Sequence, residues 1–67
     1  MVTKENMERD FYRFLIRSNA GQAARLMMFL WLDTEEQMQE MQAYLVSNPE
    51  ATEGQLLWKC RQILGEN

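Results

Sequence analysis

Histidine is missing from the 67 residues altogether, and cysteine occurs once, as Cys60. A lone cysteine cannot close a disulfide within its own chain. One thiolate without imidazole cannot complete a tetrahedral zinc site, and Cys60 has no histidine to activate it as a nucleophile. No metal or other cofactor is therefore expected. Long apolar runs are lacking too. The longest, Leu26 to Leu32, is seven residues, whereas a membrane-spanning helix needs about 20. The stretch from Met1 to Asp10 is polar and charged, unlike a secretory signal. No membrane partner is expected, and the single thiol fits a reducing compartment, read here as the cytoplasm.

Proline is equally scarce, with Pro49 alone, and glycine occurs only at Gly21, Gly54 and Gly65. These few breakers fall where a helical reading needs interruptions. No low-complexity tract or internal repeat divides the chain. The expectation is one domain over residues 1–67, complete in itself and close to the lower size limit for a single apolar core. A chain this short buries only about 60% of the surface that its unfolded form exposes. That leaves little room for a deep cleft, and an enzyme is not expected. Small scaffolds are usually stapled by disulfides, a metal or a second subunit. With the first two removed, oligomerisation is left. The composition suits it: 46% apolar, with six Met, two Trp and three Phe.

The pattern predicts an all-α fold, a small bundle of three to four short helices over about 4–17, 20–32, 34–47 and 53–64. Thr3 stands at the first N-cap position. Met7, Phe11, Phe14, Leu15 and Ser18 share one face at helical spacing, with Tyr12 and Ile16 on the flank. Asn19 either ends this helix in a left-handed conformation or caps the next, and Gly21 then falls in a first turn. The run from Leu26 to Leu32 has no β-branched residue, and Leu and Met favour helix over strand. On a helical wheel Ala20, Ala24, Met27, Met28 and Trp31 share one side. Leu26 and Phe29 fall on the other, beside Gln22 and Arg25. A helix apolar nearly all round is either central or an oligomer contact.

Asp33 with Glu36, or Thr34 with Gln37, makes a capping box for the third helix, whose acidic first turn suits the helix dipole. Met38, Met41, Tyr44 and Leu45 form its inner face, and Ser47-Asn48-Pro49 stops it. Thr52 and Gln55 box the last helix, with Leu56, Leu57, Cys60, Ile63 and Leu64 inside and Gly65 at its end. Cys60 thus reads as a core residue, a small hydrophobe rather than a reactive thiol. Glu35, Glu36 and Glu40 read as a cap and a solvated face rather than an acid–base pair.

Two further patterns remain. Residues 1–32 carry Lys4, Arg9, Arg13, Arg17 and Arg25 against Glu5, Glu8 and Asp10, a net of +2. Residues 33–67 carry Lys59 and Arg61 against seven acidic side chains, a net of −5. The second pattern is a surplus of large apolar residues. Leu26 and Phe29 lie off the main face of the second helix, Tyr12 and Ile16 flank the first, and Trp58 lies about 160° from Cys60 on a wheel. Tyr, Trp, Met and Arg are the types enriched at protein interfaces.

The leading expectation is a non-enzymatic helical interaction module that self-associates, as a homodimer, or docks another protein. Its contacts would be Leu26, Phe29 and Trp58, with Tyr12 and Ile16. On this reading Phe29→Asp weakens association and leaves helicity intact. Two alternatives use charge. A nucleic-acid regulator would place Arg9, Arg13, Arg17 and Arg25 on phosphates, although a third helix without Lys or Arg makes a poor recognition helix. An acidic inhibitor would present Asp33 to Glu53, six acidic residues and no basic one, to a basic partner.

Overall fold

The start of each of the last two helices is set by a local Thr-x-x-Gln signal. In the computed structural model, which describes residues 4–65, four helices form: α1 (Lys4–Arg17), α2 (Gln22–Trp31), α3 (Glu35–Ser47) and α4 (Glu53–Ile63). At α3 the Thr34 hydroxyl accepts the Gln37 N–H at 3.1 Å, and the Gln37 side chain accepts the Thr34 N–H at 3.3 Å. Of the two boxes open there, Thr34 with Gln37 is the one that forms. Thr52 and Gln55 repeat the arrangement at α4, with distances of 3.2 and 2.8 Å. Each box satisfies backbone donors that a helix start leaves without partners. At the far end of α3, Asn48 donates from its backbone N–H and its side chain to the Tyr44 carbonyl. Gly65 follows α4 with φ +82°, the left-handed geometry glycine adopts freely. Thr3, the expected cap of α1, lies outside the described residues.

The connection between α1 and α2 departs from expectation. α2 starts at Gln22 rather than Ala20, and Gly21 is its N-cap, not part of its first turn. Asn19 neither takes a left-handed conformation nor caps α2. It reaches across the molecule, donating from Nδ2 to the Ala51 carbonyl at 3.1 Å. Gly21 has no side chain with which to cap. Instead Glu53, the first residue of α4, brings Oε1 to 2.7 Å from the Gly21 N–H. A carboxylate at a helix N-terminus is favourable both as a hydrogen-bond acceptor and against the helix dipole. Here it is supplied by a different helix.

Helices α1 and α2 are separate, and the helices form a closed ring. α1 packs most extensively on α3, α3 on α4, α4 on α2, and α2 back on α1. α2 and α3 follow one another in the chain yet stand on the diagonal, without close backbone approach. Taken in chain order, the ring is two neighbouring pairs, or layers, α1 with α2 and α3 with α4. Between them sit Phe11 and Leu15 of α1, Met28 of α2, Met38 and Met41 of α3, and Leu56 and Cys60 of α4, sealed by Leu32. These are the inner faces that periodicity predicts for α1, α3 and α4. No polar side chain is buried among the described residues. The Cα radius of gyration is 10.8 Å, against about 10.9 Å for an ordinary domain of this length. One copy is already as compact as an ordinary domain of its length.

Because Leu56 is fully buried where α4 meets the rest of the core, Leu56→Ala should lose about 2–5 kcal/mol. Thr52→Ala, which removes only a cap, should lose about 1 kcal/mol. Urea unfolding of the two variants checks the order; equal losses would mean that α4 is held by its ends, not by its core face.

Candidate interaction surface

The rotation of α2 about its own axis decides what the surface presents. Its core side is Ala24 and Met28, continued by Leu32. Ala24 is small enough to let neighbouring helices approach. Met28 is long enough to fill the gap between the layers. Met27 and Trp31, which the wheel groups with Ala24 and Met28, point outward instead. A stripe apolar on nearly every side has no strong preferred orientation, so contacts with α1 and α4 choose it. The outcome is an outer face of Ala23, Leu26, Met27, Leu30 and Trp31, all exposed and none charged. Leu30 is 76% exposed and Leu26 45%. Leu30 is not among the contacts that the sequence pattern predicts. Its neighbours at one and four residues on the same face were the available signal.

Phe29 corrects the expectation most clearly. It does not belong to the outer face: it is half-buried in the seam between α1 and α2. Its ring stacks on Phe11 with centroids 6.4 Å apart and meets Tyr12 edge-on at 5.3 Å. Tyr12 is likewise half-buried. Together with Leu26 they line a shallow groove whose rim carries Glu5, Glu8 and Arg9. Ile16 is 50% exposed on α1, and Trp58 is 59% exposed on α4. The structure thus brings Leu26, Phe29 and Tyr12 together, places Ile16 beside the start of α2, and leaves Trp58 on a separate helix.

Ile16 is located by Arg25. The Arg25 Nη1 donates to the Ile16 carbonyl at 3.3 Å, across the last turn of α1. A guanidinium there complements the negative end of the helix dipole. Arg25 Nε is buried without a hydrogen-bond partner among the described residues. Arg25 is therefore not continuous with Arg9, Arg13 and Arg17, which stay exposed along α1. Arg13 stands 3.9 Å from Asp10 of its own helix. None of the three α1 arginines is paired with an acidic residue of α3 or α4 among the described residues.

The two layers differ in charge. Among the described residues the α1–α2 layer holds five basic and three acidic side chains. The α3–α4 layer holds Lys59 and Arg61 against Asp33, Glu35, Glu36, Glu40, Glu50 and Glu53. Lys59 stays within its layer, its ammonium 5.6 Å from the centre of the Tyr44 ring. Cys60 is fully buried, as its helix position predicts. Among the described residues no group of three His, Cys, Asp or Glu is placed to hold a metal ion. No helix among them is long and apolar enough to cross a membrane.

Comparison with protein-family models, curated proteins and solved structures finds no match to this chain.

The contrast between Phe29 and Leu30 is directly measurable. Phe29→Asp should cost the fold about 2–4 kcal/mol, from lost aromatic packing and a carboxylate forced into an apolar seam. Leu30→Asp should change it by no more than about 0.5 kcal/mol, as for an ordinary surface position. Thermal unfolding in dilute solution distinguishes the two; similar losses would put Leu30 in the seam as well.

Proposed function

We propose that the protein is an interaction module that self-associates through the outer face of α2. One observation carries the reading: five consecutive outward positions on one helix, Ala23, Leu26, Met27, Leu30 and Trp31, are apolar and exposed. Isolated surface hydrophobes are ordinary, but a contiguous stripe without charge costs solubility unless something covers it. The stripe is also more apolar than the rest of the surface, a property of the centre of an interface and not of its rim.

Size limits the strength of the association. Ten helical residues extend about 15 Å, too little alone for the ~800 Å² that each partner gives to a standard interface. Flanking residues on α1, Tyr12 and Ile16 first, must contribute. Such a contact forms and dissociates with concentration instead of holding permanently. The rest of the chain has no need of it to fold, since the core closes within one copy.

Light scattering over a tenfold concentration range tests the proposal. The mass should climb from near the 8.0 kDa of one chain toward that of two. Leu30→Asp should hold it at one chain throughout, with the helical circular-dichroism signal unchanged. A wild-type mass that stays at one chain at every concentration would refute self-association.

A further inference from the structure

Away from the outer face of α2, the last turns of α1 and α3 and the connection from α3 to α4 border a cavity of about 290 Å³. Its interior is apolar. Leu45, Ala51 and Leu56 are buried there, and Phe14 is half-buried beside them. Val46 and Pro49, both exposed, stand at its solvent side. Arg17, also exposed, is the single charged residue of the lining. Glu50 follows Pro49 in the chain but lines a neighbouring depression with Tyr44 and Gln55. No acidic side chain among the described residues lines the cavity itself.

A basic residue in the last turn of a helix is ordinarily explained by the carbonyls and dipole there. In α1 other groups serve those carbonyls. Ser18 donates from its N–H and its hydroxyl to the Leu15 carbonyl, and Arg25 donates to that of Ile16. Arg17 has no ion pair or side-chain hydrogen bond among the described residues. The other polar side chains of the lining are engaged, Ser18 with Leu15 and Asn48 with the Tyr44 carbonyl. Arg17 alone is left to meet a charge. We propose that the cavity binds a small monocarboxylate with an apolar tail, by class a medium-chain fatty acid. The tail lies on Leu45, Ala51 and Leu56. The carboxylate meets the Arg17 guanidinium, whose planar fork matches two oxygens. A cavity of about 150 Å³ holds benzene, so this one has room for a tail of about eight carbons. An apolar interior with few placed polar groups is the usual form of a small-molecule site. None of Leu26, Met27, Leu30 or Trp31 lines the cavity, so it works independently of self-association.

Octanoate, titrated into the whole chain and followed by amide and methyl NMR, tests the site. It should shift the signals of Leu45, Val46 and Ala51 and leave those of Leu30 in place. 1-Octanol should bind about tenfold more weakly, the loss of one charge-assisted hydrogen bond, and octylamine should not bind. Two variants at exposed positions keep the helical circular-dichroism signal. Arg17→Gln should weaken octanoate about tenfold and erase its advantage over octanol. Val46→Asp, which sets a carboxylate at the cavity's edge, should abolish octanoate binding. The mass of the ligand-free protein tests self-association separately. Octanol bound as tightly as octanoate would make the cavity an unselective apolar hole and overturn the carboxylate assignment. Shifts at Leu26 and Leu30 in place of Leu45 and Val46 would move the ligand to α2 and overturn the site. Shifts at Leu45 and Val46 on concentrating the protein alone would give the cavity to a second copy, with the same result. No response to octanoate up to about 1 mM would also overturn it.

Discussion

The arrangement of the four helices depends on a bond between two connections. α2 begins at a glycine that offers no side-chain cap, and the N–H of that glycine is met by Glu53 from the start of α4. The neighbouring Asn19 reaches the Ala51 carbonyl just before α4. These two hydrogen bonds, each spanning 32 residues of sequence, tie the α1–α2 connection to the α3–α4 connection. They put the N-termini of α2 and α4 at one end of the molecule and set the two helices side by side. With Arg25 fastened to the end of α1 on the other flank, α2 is held from both sides. Its outward face follows from that grip more than from its own apolar pattern.

The hydrophobic effect drives the chain together, but it is a poor judge of orientation for such a helix. In α1, α3 and α4 polar residues mark the solvent side, and those faces were legible: Phe11, Met41 and Leu56 lie where periodicity puts them. The caps were legible too, because Thr-x-x-Gln is a local signal read within four residues. α2 was not. With only Gln22 and Arg25 as polar markers, a wheel cannot separate Met27 from Met28. The difference is made by residues distant in sequence, Glu53 and the Phe11–Tyr12 pair. The same reason explains the placement of Phe29 in the seam and Leu30 outside. Leu26, Ile16 and Trp58 were legible as exposed because each lies well away from its helix's inner stripe.

Charge tells a complementary story. The opposite balances of the two halves of the sequence become opposite balances of the two layers, because α1 and α2 are neighbours in the ring, as are α3 and α4. Had the helices alternated around the ring, the two charge sets would have been mixed. The arginines of α1 do not neutralise the acids of α3 and α4 within one copy, so the polarity persists on the surface and is open to use between molecules. Arg25 shows how position in the fold changes a residue's role. In sequence it extends an arginine series, but in the structure it is committed to a carbonyl.

The core itself contains no buried polar side chain, and three of its largest members are the methionines Met28, Met38 and Met41. Thioether chains are unbranched and conform to irregular space, and nothing among them demands one partner over another. Such an interior holds helices together without dictating how far one slides or turns against the next. Uniqueness must then come from the directional bonds at the helix ends, while the middle supplies cohesion. Substitutions among apolar residues of similar volume should be absorbed inside. At the two joined connections the chain has far less latitude to vary.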